Sequence, residues 1–120
     1  MNVIVIALIG IIAGLIGALC GVGGGIVIVP ALVKFLSFQQ KEAVATSLAV
    51  IILISISATI NNARAAGNLI DWRVVVIVGS AAALASWFGA SWMRELSNQT
   101  LTRTFGLVLL TIGARMLWKG

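Results

Sequence analysis

Apolar residues fall into five runs separated by short polar stretches: 2–19, 26–36, 43–60, 74–93 and 104–118. An α-helix rises about 1.5 Å per residue, so a run of 18 residues reaches about 27 Å, close to the hydrocarbon thickness of a bilayer. The pattern predicts full spans over 2–19, 43–60 and 74–93, and a shorter one over 104–118 that crosses with help from its flanks. Residues 26–36 reach only about half as far, which fits a half-helix or a re-entrant element. The connectors 37–42, 61–73 and 94–102 are polar and brief. The predicted fold is all-α: a polytopic helical membrane protein of three to four full spans, with a short broken or re-entrant helix after a glycine-rich break. Residues 1–120 form a single transmembrane domain with no linker and no room for a soluble one.

The break itself is Gly21, Gly23, Gly24 and Gly25, with Pro30 a little further on. Lipid does not tolerate open backbone, so a break at membrane depth is buried in protein or lines a cavity. Broken helices of this kind are where transporters bind cargo. The glycines let a ligand approach the backbone, and the free N–H groups of the following helix start favour an anion. Two readings stand side by side: an anion site, or a purely structural break. Pro30 lies about a turn and a half into the short helix and is expected to kink it.

Small residues recur at helical spacing in two runs, as Gly10, Gly14, Gly17, Gly21 and as Gly79, Ala83, Ser86, Ala90. Such stripes let helices approach closely, and packing is their simpler role. Trp72, Trp92 and Trp118 stand at run ends, where indole favours the headgroup zone. Trp87 lies inside its run and is expected to pack.

Composition supports lipid as the solvent. The chain is 61% hydrophobic and only 9% charged, with mean hydropathy +1.17. A soluble domain needs roughly a quarter of its residues charged. The net charge of +5 does not point to nucleic acid, because the cations stand singly at run ends, with no basic cluster and no interleaved aromatics. Cys20 cannot form an internal disulfide, and the chain has no histidine to build a metal site. Cys20 fits a small packing residue better than a reactive thiol. No signal peptide is expected in residues 1–19, and Leu19 is too large for a lipoprotein box ending at Cys20.

Orientation by the positive-inside rule is undecided. Lys34, Lys41, Arg94 and Arg103 are expected on one side, and Arg64, Arg73, Arg115 and Lys119 on the other. Arg115 is expected to snorkel. A balanced distribution permits insertion both ways, and two opposed copies then form an inverted repeat. A parallel dimer stays open. A single copy has little material to enclose a pathway, so a homo-oligomer, a dimer first of all, is expected.

Enzyme chemistry finds no footing. Glu42, Asp71 and Glu95, the only acids, all fall in connectors, and no base is present to activate a serine. The glycine cluster is not a nucleotide loop, since Ile26 stands where a third glycine is required. No cofactor and no metal are expected. Proton coupling through a buried acid is disfavoured, and membrane potential is the simpler drive at about 2.3 kcal/mol per charge per 100 mV. The run 43–60 carries a second polar set. Thr46 and Ser47 lie near its start, while Ser55, Thr59 and Asn62 share a face near its end. Asn61, Asn62 and Arg64 form a polar cap. Here too two readings stand: ligand donors, or hydroxyls bonded to their own helix with Asn and Arg in the headgroups.

These residues resemble one repeat of the sulfite exporter TauE/SafE family of membrane permeases. Four stretches carry the likeness: Gly14-x-x-Gly17 leading into Gly21-Val-Gly-Gly-Gly-Ile-Val-Ile-Val-Pro30; Ala45-Thr-Ser-Leu48; Asn61-Asn-Ala-Arg64 through Gly67 to Trp72; and the small-residue span from Gly79 to Ala90. The resemblance implies a multi-pass transporter of the inner membrane that moves small anions, often sulfite or organosulfonates. It implies two such repeats in a typical member, where this sequence holds one, and a histidine near position 62 in many members, where Asn62 stands instead.

The leading expectation is a transporter subunit working as a homodimer, binding a small anion through the break residues Gly21, Gly23, Gly24, Gly25 and Pro30, with Thr46, Ser47, Asn61 and Asn62 as further contacts. The alternatives are a non-transport accessory membrane protein, or half of a heterodimer with a second half-length chain.

Overall fold

The computed structural model describes all residues except Met1, Ala66 and Asn68. It contains five helices: α1 (Val3–Cys20), α2 (Gly25–Phe35), α3 (Gln40–Arg64), α4 (Trp72–Glu95) and α5 (Asn98–Lys119). All but α2 are long and apolar enough to cross a membrane.

Helix ends are set by capping rather than by hydropathy. Asn2 accepts from the Ile4 N–H at 3.0 Å, and Asp71 accepts from the Arg73 N–H at 3.1 Å. Ser97 accepts from the Thr100 N–H at 3.1 Å, and Glu42 accepts from the Gln39 N–H at 3.1 Å. These side chains satisfy orphan donors of the first turn. They start α3 and α5 within the polar stretches expected to be connectors. Residues 40–42, 61–64, 72–73, 94–95 and 98–102 are therefore helical. Polar residues bring each helix out to the headgroups; apolar ones mark only its lipid-embedded middle.

α1 and α2 form an antiparallel hairpin. Gly24, at the start of α2, lies against Ala13 and Gly17 in the second half of α1. Phe35, at its other end, shares a cavity with Val5, Leu8, Ile9 and Ile12. Leu36 and Ser37 adjoin Asn2. The chain thus returns to the side it came from. α1 has the length of a full span, and the return is a short glycine segment, residues 21–24, followed by the 11-residue α2. Pro30 does not end α2, which runs on to Phe35; it removes the bond that position 30 would give to the Ile26 carbonyl.

The core is small and centres on α2. Ala13, Ile28, Val29, Leu32 and Ala43 are buried, with Val50, Ile54 and Phe105 packed against them. α2 is held between α1 and α3. One end of the bundle is laced by hydrogen bonds. The Lys41 N–H donates to Asn98 Oδ1 at 3.1 Å, Lys41 Nζ donates to the Arg94 carbonyl at 2.8 Å, and Asn98 Nδ2 donates to Gln39 Oε1 at 3.4 Å. This lacing gathers the start of α3, the end of α4 and the start of α5, and with Asn2 and Ser37 it marks one end, labelled inner for position in the bundle and not for a membrane side. Arg64 and the start of α4 define the outer end.

No residue of α4 is buried, and Trp87 is 76% exposed. The expectation that Trp87 packs is therefore not met within this chain. The second small-residue stripe is likewise uncovered: a Cβ on Gly79 meets nothing within 4 Å. In the first stripe the close contact falls to Gly17 alone, since Gly10, Gly14 and Gly21 have open space around them. Cys20 is exposed at the end of α1, so it is not a packing residue within the chain.

Gly17 carries the hairpin. A Cβ there would stand 2.6 Å from the Gly24 nitrogen, backbone that cannot step aside. Gly17→Ala is expected to cost about 1–3 kcal/mol by overpacking. Gly10→Ala, with no neighbour within 4 Å, is expected to be neutral or to stabilise by up to about 1 kcal/mol. Unfolding of the purified variants in mixed micelles measures both, and equal losses would sink this account of the hairpin.

Candidate functional site

Three glycines make the break. Gly21, Gly23 and Gly24 have φ of 72°, 69° and 83°, the left-handed region that side chains with a Cβ avoid. Gly21 ends α1, its N–H donating to the Gly17 carbonyl at 2.9 Å. Gly24 begins α2, its carbonyl accepting from Val27 and Ile28 at 3.0 and 2.9 Å. Among the described residues no acceptor pairs with the N–H groups of Gly23, Gly24, Gly25 or Ile26. These are the orphan donors of a helix start.

Their depth follows from α3. Ile51 is the nearest neighbour of a Cβ placed on Gly23, at 2.7 Å, and on Gly25, at 3.2 Å. Ile51 stands at the middle of the apolar run 43–60. The start of α2 therefore lies near mid-membrane, where unpaired backbone is costly.

From there a groove of about 180 Å³ opens toward the outer end, lined by Gly17, Gly21 and Gly23 on one wall and by Ser55, Thr59 and Asn62 on the other. A second, of about 500 Å³, lies across the α1–α3 seam and is lined by Gly14, Ala18, Ser57 and Asn61 among others. Both are open grooves and not enclosed cavities.

The hydroxyls divide into two groups. Ser47, Ser86, Ser91, Thr102, Thr104 and Thr111 each donate to a carbonyl of their own helix, three or four residues back. Among the described residues Ser55, Ser57 and Thr59 make no such bond, although they occupy the same kind of helical position; Thr46 and Ser80 share that state. A hydroxyl without a partner in hydrocarbon is unfavourable. The three that line the grooves thus mark a place where water or a polar ligand supplies the partner.

The expected site residues separate accordingly. Gly21, Gly23 and Asn62 meet in one groove, and Asn61 lines the other. Gly24 is buried in the hairpin and Gly25 lies under Ile51. Ser47 is buried, its Oγ donating to the Val44 carbonyl at 2.9 Å. Thr46 and Pro30 are exposed and line neither groove. Sequence reasoning passed over Ile51, which looks like any residue of an apolar run, and Ser57, which lies off the Ser55–Thr59–Asn62 face.

Comparison with known proteins bears on this arrangement. A family model described as Sulfite exporter TauE/SafE matches residues 6–120. The chain is 30% identical over 112 residues to the probable membrane transporter protein YunE of Bacillus subtilis, covering 93% of this chain and 40% of that protein. It is 29% identical over 119 residues to a probable membrane transporter protein of Xylella fastidiosa, covering 92% and 42%. It is 27% identical over 117 residues to one of Haemophilus influenzae, covering 92% and 44%. The chain thus spans about two-fifths of the length of these relatives. No solved structure matches it.

If the groove hydroxyls face open space, removing them leaves the fold intact. Ser55→Ala and Thr59→Val are each expected to shift unfolding free energy by no more than about 0.5 kcal/mol. A loss of more than about 1 kcal/mol in mixed micelles would assign these hydroxyls to internal packing instead.

Proposed function

Because the chain belongs to the sulfite exporter TauE/SafE family, we propose that it is a permease subunit that moves a small anion, sulfite or an organosulfonate, across the inner membrane as a homodimer. One observation carries the reading: the unpaired hydroxyls of Ser55 and Thr59 and the unpaired amide of Gly23 belong to one groove at membrane depth. Every one of these groups is a hydrogen-bond donor or offers one, and donors are what an oxyanion needs when it leaves its hydration shell.

The anion enters from the outer end past Asn62, Thr59 and Ser55 and meets the break at Gly21 and Gly23. The three acids sit at helix ends, at Glu42, Asp71 and Glu95, and the chain has no histidine, so no carboxylate or imidazole lies in mid-span to relay a proton. Membrane potential drives the charge, and in a chain inserted either way the groove serves an anion moving in the direction the potential favours. Neither an acid–base pair nor a nucleophile lies in the grooves, which favours transport over catalysis.

The second protomer supplies the missing wall. The grooves are open, and lipid is a poor cover for Ser57 and Asn61. Lys34, Lys41, Arg94 and Arg103 lie toward the inner end, and Arg64, Arg73, Arg115 and Lys119 toward the outer. The balance leaves both orientations open to insertion, and opposed copies pair as an inverted repeat.

Flux into proteoliposomes containing only this chain tests the proposal, with sulfite, thiosulfate, sulfate and a sulfonate as probes. Gly24→Leu is a poor variant here, because Gly24 also holds the hairpin. Thr59→Val and Asn62→Leu are expected to lower flux about tenfold each, the worth of one well-placed hydrogen bond, with insertion unchanged. Absence of flux from a well-inserted protein would overturn the stand-alone homodimer for those anions.

A further inference from the structure

Successive turns of α3 carry Asn62, Thr59, Ser55, Ile51 and Ser47. Four of the five are polar, and the exception lies near mid-membrane. It is also the α3 residue that rests on the break: its Cγ2 lies 2.7 Å from a Cβ placed on Gly23, and its Cδ1 lies 3.2 Å from one placed on Gly25. A side chain on Gly23 would displace it, and one on Gly25 would press its Cδ1 aside by a few tenths of an ångström. Its β-branch restricts χ1, so the group resting on the break is held in place rather than swinging.

On the outer side of Ile51 the hydroxyls of Ser55 and Thr59 are unpaired and line the open groove. On the inner side Ser47 is 3% exposed and its hydroxyl is satisfied by its own helix. The face thus changes across this one residue, from open and unpaired to buried and satisfied. Apolar constrictions of this kind close a pathway by excluding water.

We propose that Ile51 is the hydrophobic gate of the permeation path, closing the outer groove off from the inner half of α3 by resting on Gly23 and Gly25. The proposal rests on the groove being the anion path. Opening then requires Ile51 to leave its seat on the glycines, and the length of its side chain sets how tightly the path is sealed.

The test uses the full chain in proteoliposomes, with Cys20→Ser as background and a membrane-impermeant anionic thiol reagent, a methanethiosulfonate bearing a sulfonate. Ser55→Cys and Thr59→Cys are expected to react, and Ser47→Cys is not. Combining Ser47→Cys with Ile51→Ala is expected to raise its labelling rate on the order of tenfold or more. Ile51→Val, which loses only the methyl over Gly25, is expected to give an intermediate rate, and it decides the matter should the alanine variant fail to fold. The gate is overturned if Ser47→Cys already reacts beside intact Ile51, or if it stays unreactive in the shortened variants while Ser55→Cys and Thr59→Cys react. Should Ser55→Cys and Thr59→Cys themselves resist labelling, the groove is dry, and the anion path fails together with its gate.

Discussion

The contact of Gly17 with Gly24 brings two backbones together without side chains between them, and the arrangement of the other helices follows from it. It seats α2 flat against α1 with its start drawn back to the level of Ala13. That places Ile28, Val29 and Leu32 where α3 can cover them. It also forces Gly21, Gly23 and Gly24 into left-handed backbone, since the chain has only a few residues in which to reverse. The Gly21 amide pairs with the Gly17 carbonyl, while those of Gly23 and Gly24 stay unpaired. The packing that stabilises the hairpin and the polar backbone that suits it to a ligand therefore have one cause, and the two readings of the glycine cluster do not compete. Gly17 and Gly24 serve packing, while Gly21 and Gly23 face the groove.

Much of this was legible in the residues. The five apolar runs are the cores of the five helices, and the glycine break lies between the first two. The shared face of Ser55, Thr59 and Asn62 became one wall of a groove. What the pattern missed has identifiable reasons. The polar ends of α3 and α5 were invisible to hydropathy because capping, not burial, decides them. Trp87 and the α4 stripe look like packing residues, but periodicity tells which residues share a face and not whether this chain covers that face. Ile51 differs in no property from its apolar neighbours; only the position of α2 against α3 sets it apart. Thr46, Ser47 and the grooves are parts of one helix that the sequence alone could not rank by exposure.

The distribution of burial matches the chain's size relative to its relatives. The buried residues lie on α1, α2 and α3, and no residue of α4 or α5 is buried. A bundle that spans two-fifths of its relatives' length leaves its most polar surfaces at the edge rather than at the centre. Within a larger assembly the same surfaces become interior, which is where unpaired hydroxyls at membrane depth belong.

The hairpin also governs the order of events during synthesis. Its two arms are separated by only four residues, so closing it costs little chain entropy compared with bringing α5 to the start of α3. α2 is too short to hold a position across the bilayer alone, and it is stable there only alongside α1. The two arms therefore enter as one paired unit while the rest of the chain is still emerging. α3 follows as the first independent crossing, and when it docks, Ile51 meets a glycine surface already formed. Assembly then proceeds outward from the hairpin, with each later helix arriving at a template instead of searching for one.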